Sequence, residues 1–377
     1  MKTQHLLLPA AALALAVSQP AIAQDVNMQA SLYLPPTNDT VVGGWEPFTK
    51  KVEERTEGRI SIRIFAGGAL LGARASSQGV RDGVVDMAYI PMNYQPAEFP
   101  YIGGMINEFA AVGNNTYVVT AATTELVMTD CAPCQEELKR AGNVYLGVSA
   151  APGMVIMSGS KINELDDFQG MSIRSGGLLW DRFISGLGAT PVNVAGNEQY
   201  EAMSRGVVGA VMHVPSSLIS VSLIELTEAV VLTNLGLARS QNTFATNPDT
   251  WAKLSVEDRE IFLEEALKAN IDIAAKYDDS GRKALAMAEE QGIDVVEPWP
   301  ELQQHIDNFV ADSVESGIRV SVAEHGIEDA AAWAEKLEAL NQKWTAVWEE
   351  TDGDLDAYKQ RFVEEIRAKV DLESYGL

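Results

Sequence analysis

Residues 171–214 read MSIRSGGLLWDRFISGLGATPVNVAGNEQYEAMSRGVVGAVMHV. A short strand, Met171 to Arg174, runs into Gly176-Gly177, and a helix from about Leu178 to Leu187 stops at Gly188. A second helix, Glu198 to Arg205, ends at Gly206 and gives way to the apolar run Val207 to Val214, read as a buried strand. Strand followed by helix followed by strand is the grammar of an α/β lobe.

The same rhythm extends upstream. Asn27 to Leu34 alternates as a strand, and Trp45 to Thr56 is helical with Phe48 and Val52 on one face. Gly58 ends that helix before the strand Ile60 to Phe65. Arg74 to Asp82 reads as a helix, with Gly83 near its end, and leads into the apolar Val84 to Ile90. Strands are also expected at Val144 to Val148 and Met154 to Ser158. Downstream the chain turns helical. Ser255 with Asp258 starts a Pro-free helical pattern that runs to Gly292. At ~1.5 Å per residue that helix is on the order of 50 Å long, enough to lie along two lobes. Trp333, Leu337, Leu340, Trp344 and Trp348 recur near helical spacing, as packing residues do.

The expected architecture is therefore α/β, with two lobes, several crossovers and a cleft between them. Residues 24–148 with a return segment 238–275 would form the first lobe, and 149–237 with the helical segment 276–345 the second. Residues 346–377 would be a C-terminal helical tail, whose tryptophan-rich approach leaves room for a homodimer.

Residues 1–23 read as a cleavable secretory leader. Lys2 precedes the apolar run Leu6 to Val17, and Ala21-Ile22-Ala23 precedes Gln24. That run is shorter than the ~20 residues of a membrane span, and no Cys follows for a lipid anchor. The expected location is the periplasm. The formal net charge of -25 argues against nucleic acid as a partner. It also repels anionic ligands at long range, so an anion site has to be built locally. The only cysteines, Cys131 and Cys134, form a C-A-P-C pair, which in an oxidising compartment reads as a structural disulfide ahead of a redox dithiol.

Four ordered blocks carry a resemblance over nearly the whole chain after the leader. The first runs from Trp45-Glu46-Pro47-Phe48 through Glu57-Gly58-Arg59-Ile60 to Leu71-Gly72, and the second is Arg81-Asp82-Gly83-Val84-Val85-Asp86-Met87-Ala88. The third is Leu165 to Ser175 (LDDFQGMSIRS) with Gly186-Leu187-Gly188-Ala189-Thr190-Pro191-Val192. The fourth is Glu198 to Met203 with Arg205 to Gly209. They resemble the solute-binding proteins of TRAP transporters. That resemblance implies a type II-like periplasmic-binding-protein fold and a receptor that closes on a small organic acid. It would deliver that acid to the membrane permease subunits of an ATP-independent transporter.

The resemblance further implies that Arg174 grips the ligand carboxylate, and its chemistry agrees. A planar guanidinium offers two parallel charge-assisted hydrogen bonds, here at a strand end before two glycines and a helix N-terminus. By motif spacing Asn197 and His213 fall near contact positions. Asn38, Tyr89, Asn93, Tyr94 and Met154 come from strand ends that face a cleft, and Trp180 and Phe244 would supply apolar walls. Gly209 replaces an Asp of the resembling pattern, and Val211-Met212 replace polar residues. These departures remove oxygen ligands of a calcium-assisted site. No metal and no cofactor are expected, and the pocket should be more apolar than that of a pure dicarboxylate binder. Apolar or aromatic monocarboxylates fit that description, with sugar acids, keto acids and zwitterions left open.

Two other functions compete. A ligand sensor for a membrane receptor would use the same fold and pocket. An extracytoplasmic hydrolase would need chemistry that the sequence lacks: after the leader the histidines are His213, His305 and His325, with no G-x-S-x-G elbow or H-E-x-x-H helix. An enzyme is not expected.

Overall fold

The computed structural model describes residues 26–377, and the expected leader lies outside them. In the first lobe β1 (Val26–Ser31) precedes α1 (Glu46–Arg55), β2 (Ile60–Phe65), α2 (Ser76–Arg81) and β3 (Met87–Pro91). A π-helical turn, Val41–Trp45, feeds α1, where Phe48 and Val52 point into the core. Glu57 and Gly58, both at positive φ, reverse the chain into β2. Two further helices, α3 (Thr116–Glu125) and α4 (Ala132–Arg140), cover this lobe. Asn115 caps α3 through its side chain. Cys131 caps α4 and is bonded to Cys134 across its first turn.

The expected strand at Val144 to Val148 does not form a ladder. Only Val144 bridges to Thr246, and Gly147 turns the chain at φ 102°. The hydroxyls of Thr124, Thr243 and Thr120 accept the N–H groups of Val148, Ser149 and Ala150 in turn. Side chains thus satisfy the backbone donors that a neighbouring strand would otherwise take.

The second lobe contains β4 (Val155–Ser158), β5 (Ser172–Ser175), α5 (Leu178–Gly186), β6 (Thr190–Asn193), α6 (Gln199–Ser204), β7 (Ala210–His213), α7 (Ser217–Ser220) and β8 (Ala229–Leu232). The chain then returns to the first lobe as β9 (Gln241–Thr246) and α8 (Pro248–Lys253). It runs down α9 (Val256–Glu290) into β10 (Asp294–Val296) and ends in α10 (Pro300–His325), α11 (Ala330–Glu350) and α12 (Leu355–Arg367).

Two sheets result, ordered β2-β1-β3-β9 and β10-β8-β4-β7-β5-β6. In the first, β1 runs parallel to β2 and β3 while β9 is antiparallel to β3. In the second, β4 is antiparallel to both β7 and β8, and β5 is parallel to β6 and β7. The 35-residue α9, capped by the Ser255 hydroxyl accepting from the Asp258 N–H at 3.1 Å, ties the lobes together. It packs on α1, α3 and α12 in the first lobe and on α7 and β10 in the second.

The C-terminal helices correct the expected partition. Helix α10 starts in the second lobe, where Phe309 meets Phe183 at 5.2 Å between ring centres, and returns to pack on the turn Pro100–Ile106 of the first. Helix α11 therefore lies on α3, in the first lobe rather than the second. Residues 346–377 form a helical segment packed on the first lobe: α12 packs on α9, Arg259 donates to the Leu372 carbonyl and Trp251 to that of Tyr375. Trp344 is fully buried against Tyr358 and Phe362, and Trp348 stacks on Tyr117. Trp344 and Trp348 thus pack within the chain.

Candidate functional site

Strand direction explains which residues meet. The carboxyl ends of β1, β3, β5 and β7 converge on the gap between the sheets, where α/β folds collect ligands. Tyr33 and Leu34 follow β1, Asn93 and Tyr94 follow β3, Arg174 and Gly176 come from the end of β5, and His213 ends β7. The antiparallel strands add their starts to the same edge. Gln241 of β9 is in register with Pro91 of β3, and Val155, next to Met154, is in register with His213. Tyr277, half-way along α9, closes the chamber from the side. The cavity volume is about 60 Å³, space for about four to six waters at ~10–15 Å³ each.

Arg174 is 1 % exposed. Its Nε donates to the Val194 carbonyl at 2.8 Å, Nη1 to the Met212 carbonyl at 3.0 Å and Nη2 to the Tyr94 hydroxyl at 2.8 Å. A guanidinium has five N–H groups. After these three bonds one remains on each terminal nitrogen, the pair that a carboxylate takes in bidentate fashion. Among the described residues no Asp or Glu forms an ion pair with Arg174, and it is the only charged side chain lining the cavity. Gly176 keeps the approach open, because a side chain there would begin 3.5 Å from both terminal nitrogens. Gly177, at φ 149° and ψ 171°, adopts a conformation essentially restricted to glycine and swings the chain into α5. The N-terminal turn of α5 then abuts the cavity through Trp180, with its dipole favouring an anion.

The remaining walls are uncharged. Burial, and the nearby Arg174, hold His213 well below its ordinary 6.5, so the ring is neutral at pH 7. Its Nδ1 is paired with the Ser217 hydroxyl at 2.5 Å, leaving Nε2 for a ligand. Burial pushes the phenols of Tyr33, Tyr89 and Tyr277 above their ordinary range, so they act as neutral hydrogen-bonding groups. Asn38 is held by the Tyr277 hydroxyl at 3.2 Å and the Thr40 N–H at 2.9 Å.

Several bonds join the lobes over this chamber. Besides Arg174–Tyr94, Asn93 Nδ2 donates to the Gly176 carbonyl at 2.5 Å, and Arg74 links the Tyr94 carbonyl to Asn193 Oδ1 at 2.6 Å each. Thr37 reaches the Ser220 carbonyl at 2.9 Å, and Arg182 pairs with Glu108.

Of the residues expected at the site, Arg174, His213, Asn38, Tyr89, Asn93, Tyr94, Met154 and Trp180 line one cavity. Asn197 and Phe244 do not. The backbone passes the chamber at Val194, whose carbonyl accepts from Arg174. The turn closed by the Glu198 N–H on the Ala195 carbonyl then carries Asn197 outward, to a surface groove beside Tyr200 and Glu225. Phe244 is three residues along β9 from Gln241, about 10 Å away at strand rise. It is buried in the first lobe against Trp45 and Phe48, with ring centres at 4.8 and 4.5 Å. Tyr33, Gln241 and Tyr277 were not anticipated. Tyr33 follows an alternating strand and so carried a local signal, whereas nothing near Tyr277 in the sequence marks it.

A family profile described as DctP, bacterial extracellular solute-binding protein, family 7, matches residues 32–319. The chain belongs to this family. Family 7 receptors are periplasmic, bind small organic acids and serve TRAP membrane permeases; they and their structural neighbours are transport receptors and not enzymes. A solute-binding protein of Albidiferax ferrireducens is 28 % identical over 255 residues, which is 64 % of this chain and 74 % of the relative. A TRAP solute-binding protein from Rhodoferax ferrireducens, solved with copurified benzoate, superposes with a TM-score of 0.75 at 19 % identity, covering 85 % of this chain and 99 % of that one. One from a marine metagenome, described as specific for aromatic acids and solved with 3-hydroxybenzoate, gives 0.74 at 22 % identity over 85 % and 99 %. These likenesses establish the two-lobed TRAP receptor fold for this family 7 chain.

Proposed function

We propose that this TRAP solute-binding protein captures a small organic acid by its carboxylate on Arg174. One observation carries this reading: a guanidinium 1 % exposed, lining the chamber between the lobes, with no carboxylate in ion-pair contact among the described residues. An unpaired buried charge costs several kcal/mol, and the cost is offset only when a counter-charge arrives. The ligand supplies it. Binding and closure are then one event, because Arg174 also holds Tyr94 of the opposite lobe and closure buries the new ion pair. The solved relatives with benzoate and 3-hydroxybenzoate hold ligands of this chemical kind.

The location that accompanies this reading is the periplasm, after removal of residues 1–23. Among the described residues no helix is long and apolar enough to cross a membrane.

A thermal-shift screen of the mature protein against organic acids, amino-acid derivatives and neutral sugars, with calorimetry on the hits, tests it. A ligand that binds the folded state raises the melting temperature by mass action. Stabilisation confined to carboxylates is expected; hits confined to neutral sugars would remove Arg174 as the anchor.

A further inference from the structure

The chamber's charge inventory, its walls and its unsatisfied polar atoms narrow the ligand further, on the basis that Arg174 takes a carboxylate. We infer that the ligand is a monocarboxylate with a flat aromatic ring bearing a hydroxyl group, and that Asn93 Oδ1 accepts from that hydroxyl.

Charge comes first. Among the described residues Arg174 is the only charged side chain lining the cavity, and it has two free N–H groups, enough for one carboxylate. A second carboxylate would be buried with no cation, and an ammonium group would find no Asp or Glu in the walls. Dicarboxylates and zwitterions are both disfavoured by the same inventory.

The walls specify the body. Rings of Tyr33, Tyr89, Tyr94, Trp180 and Tyr277 surround the chamber, with Tyr33 at 5.8 Å from Tyr89 and 6.5 Å from Tyr94 between centroids. Aromatic pairs gain energy at such separations beyond their burial, and a ring inserted among them extends the same packing.

The unsatisfied atoms specify the substituent. Asn93 Nδ2 is committed to the Gly176 carbonyl, and that bond orients the amide so that Oδ1 is the other terminus. Asn93 Oδ1 is buried without a partner, and so is Gln241 Oε1, both on residues that line the cavity. Two orphan acceptors call for a ligand donor, since a buried acceptor left unpaired is costly. A phenolic O–H is a donor compatible with an aromatic ring and carries no extra charge.

Calorimetry on the mature chain with benzoate, the three hydroxybenzoate isomers and succinate tests the inference, repeated in Asn93→Ala and Arg174→Ala. One hydroxybenzoate isomer should bind about ten-fold more tightly than benzoate, the worth of one good hydrogen bond, and succinate at least ten-fold more weakly than that isomer. Asn93→Ala loses the bridge to Gly176 for every ligand alike, so the ratio is the informative quantity. The preference for the hydroxylated ring should fall to about two-fold or less, well below the worth of one hydrogen bond. Equal affinity for benzoate and all its hydroxylated isomers would overturn the inference, as would tightest binding of succinate or a preference that survives Asn93→Ala. In those cases binding that is lost in Arg174→Ala keeps the carboxylate anchor standing. Neutral sugars binding in place of every acid would overturn both.

Discussion

Arg174 on the second lobe donates to the hydroxyl of Tyr94 on the first at 2.8 Å, so the residue proposed as the ligand anchor also bridges the two lobes. Affinity and closure are coupled through one side chain. Replacing Arg174 with Ala removes the anchor and three hydrogen bonds at once. Affinity for the cognate acid should fall by at least about 30-fold, corresponding to ~2 kcal/mol or more for a desolvated charge pair. Circular dichroism should still report a folded protein. Calorimetry showing undiminished carboxylate binding by that folded variant would refute the anchor.

Tyr94→Phe separates closure from anchoring. It deletes the hydroxyl while keeping the ring and the guanidinium, and because the donor is charged the lost bond costs about 1.5–3 kcal/mol. The expected result is a loss of about ten-fold or more in affinity for all acids alike. A change in ligand selectivity, rather than a uniform loss, would mean that Tyr94 reads the ligand directly.

Glu125 should matter for stability and not for binding. Its carboxylate is 1 % exposed, and it accepts from Lys343 at 2.8 Å, from Trp344 at 2.6 Å and from Lys369. Burial alone would raise its pKa, but the two lysines outweigh burial and hold it below the ordinary 4.5. The native state therefore gains stability that is present above pH ~4.5 and is lost as pH falls through the lower native value. Because both lysines are part-exposed, Glu125→Gln should cost about 2–3 kcal/mol, less than the 3–5 of a fully buried pair. Denaturant melts at pH 7 and pH 3 would measure it, with the difference between wild type and variant shrinking in acid.

Glu137 has the opposite sign. It accepts the N–H groups of Tyr101 and Ile102 at 2.9 and 2.8 Å, yet burial pushes its carboxyl up to about 7. A carboxyl raised in the folded state contributes stability that is full below pH ~4.5 and is lost as pH rises toward 7. At ~1.4 kcal/mol per pH unit the span amounts to about 3 kcal/mol. Glu137→Gln keeps an acceptor oxygen for one of the two N–H groups, which use different carboxylate oxygens, and cannot ionise. Its stability relative to wild type should therefore rise by that amount between pH 4.5 and 7.5. Parallel pH profiles would show that Glu137 is already ionised at low pH.

Local patterns in the chain were sufficient for most elements and for the placement of Arg174. The span β5–α5 is marked by an apolar run, two glycines and a helix stop at Gly188, so the position of Arg174 at a strand end follows from residues adjacent in sequence. Ser255 announces α9 because an N-cap acts within one turn. Where long-range partners set the outcome, local reading failed. The apolar stretch 144–148 has strand composition, but threonine side chains from other segments took its backbone donors. Phe244 and Gln241 share one strand, and only the placement of β9 against β3 decides which of them reaches the cleft.

Periodicity and caps point to an α/β fold, and motifs resembling those of TRAP receptors place an arginine at the end of β5. Those features depend on periodicity, caps and a motif contained in short spans. The tertiary structure decided the chamber's contents. Tyr277 arrives from a helix 103 residues beyond Arg174 in the numbering, and Asn93 is oriented by a carbonyl on the opposite lobe. Helices α11 and α12 likewise find their partners, α3 and α9, far away in the chain. Such contacts join residues far apart along the chain, and no local pattern encodes their distance in space.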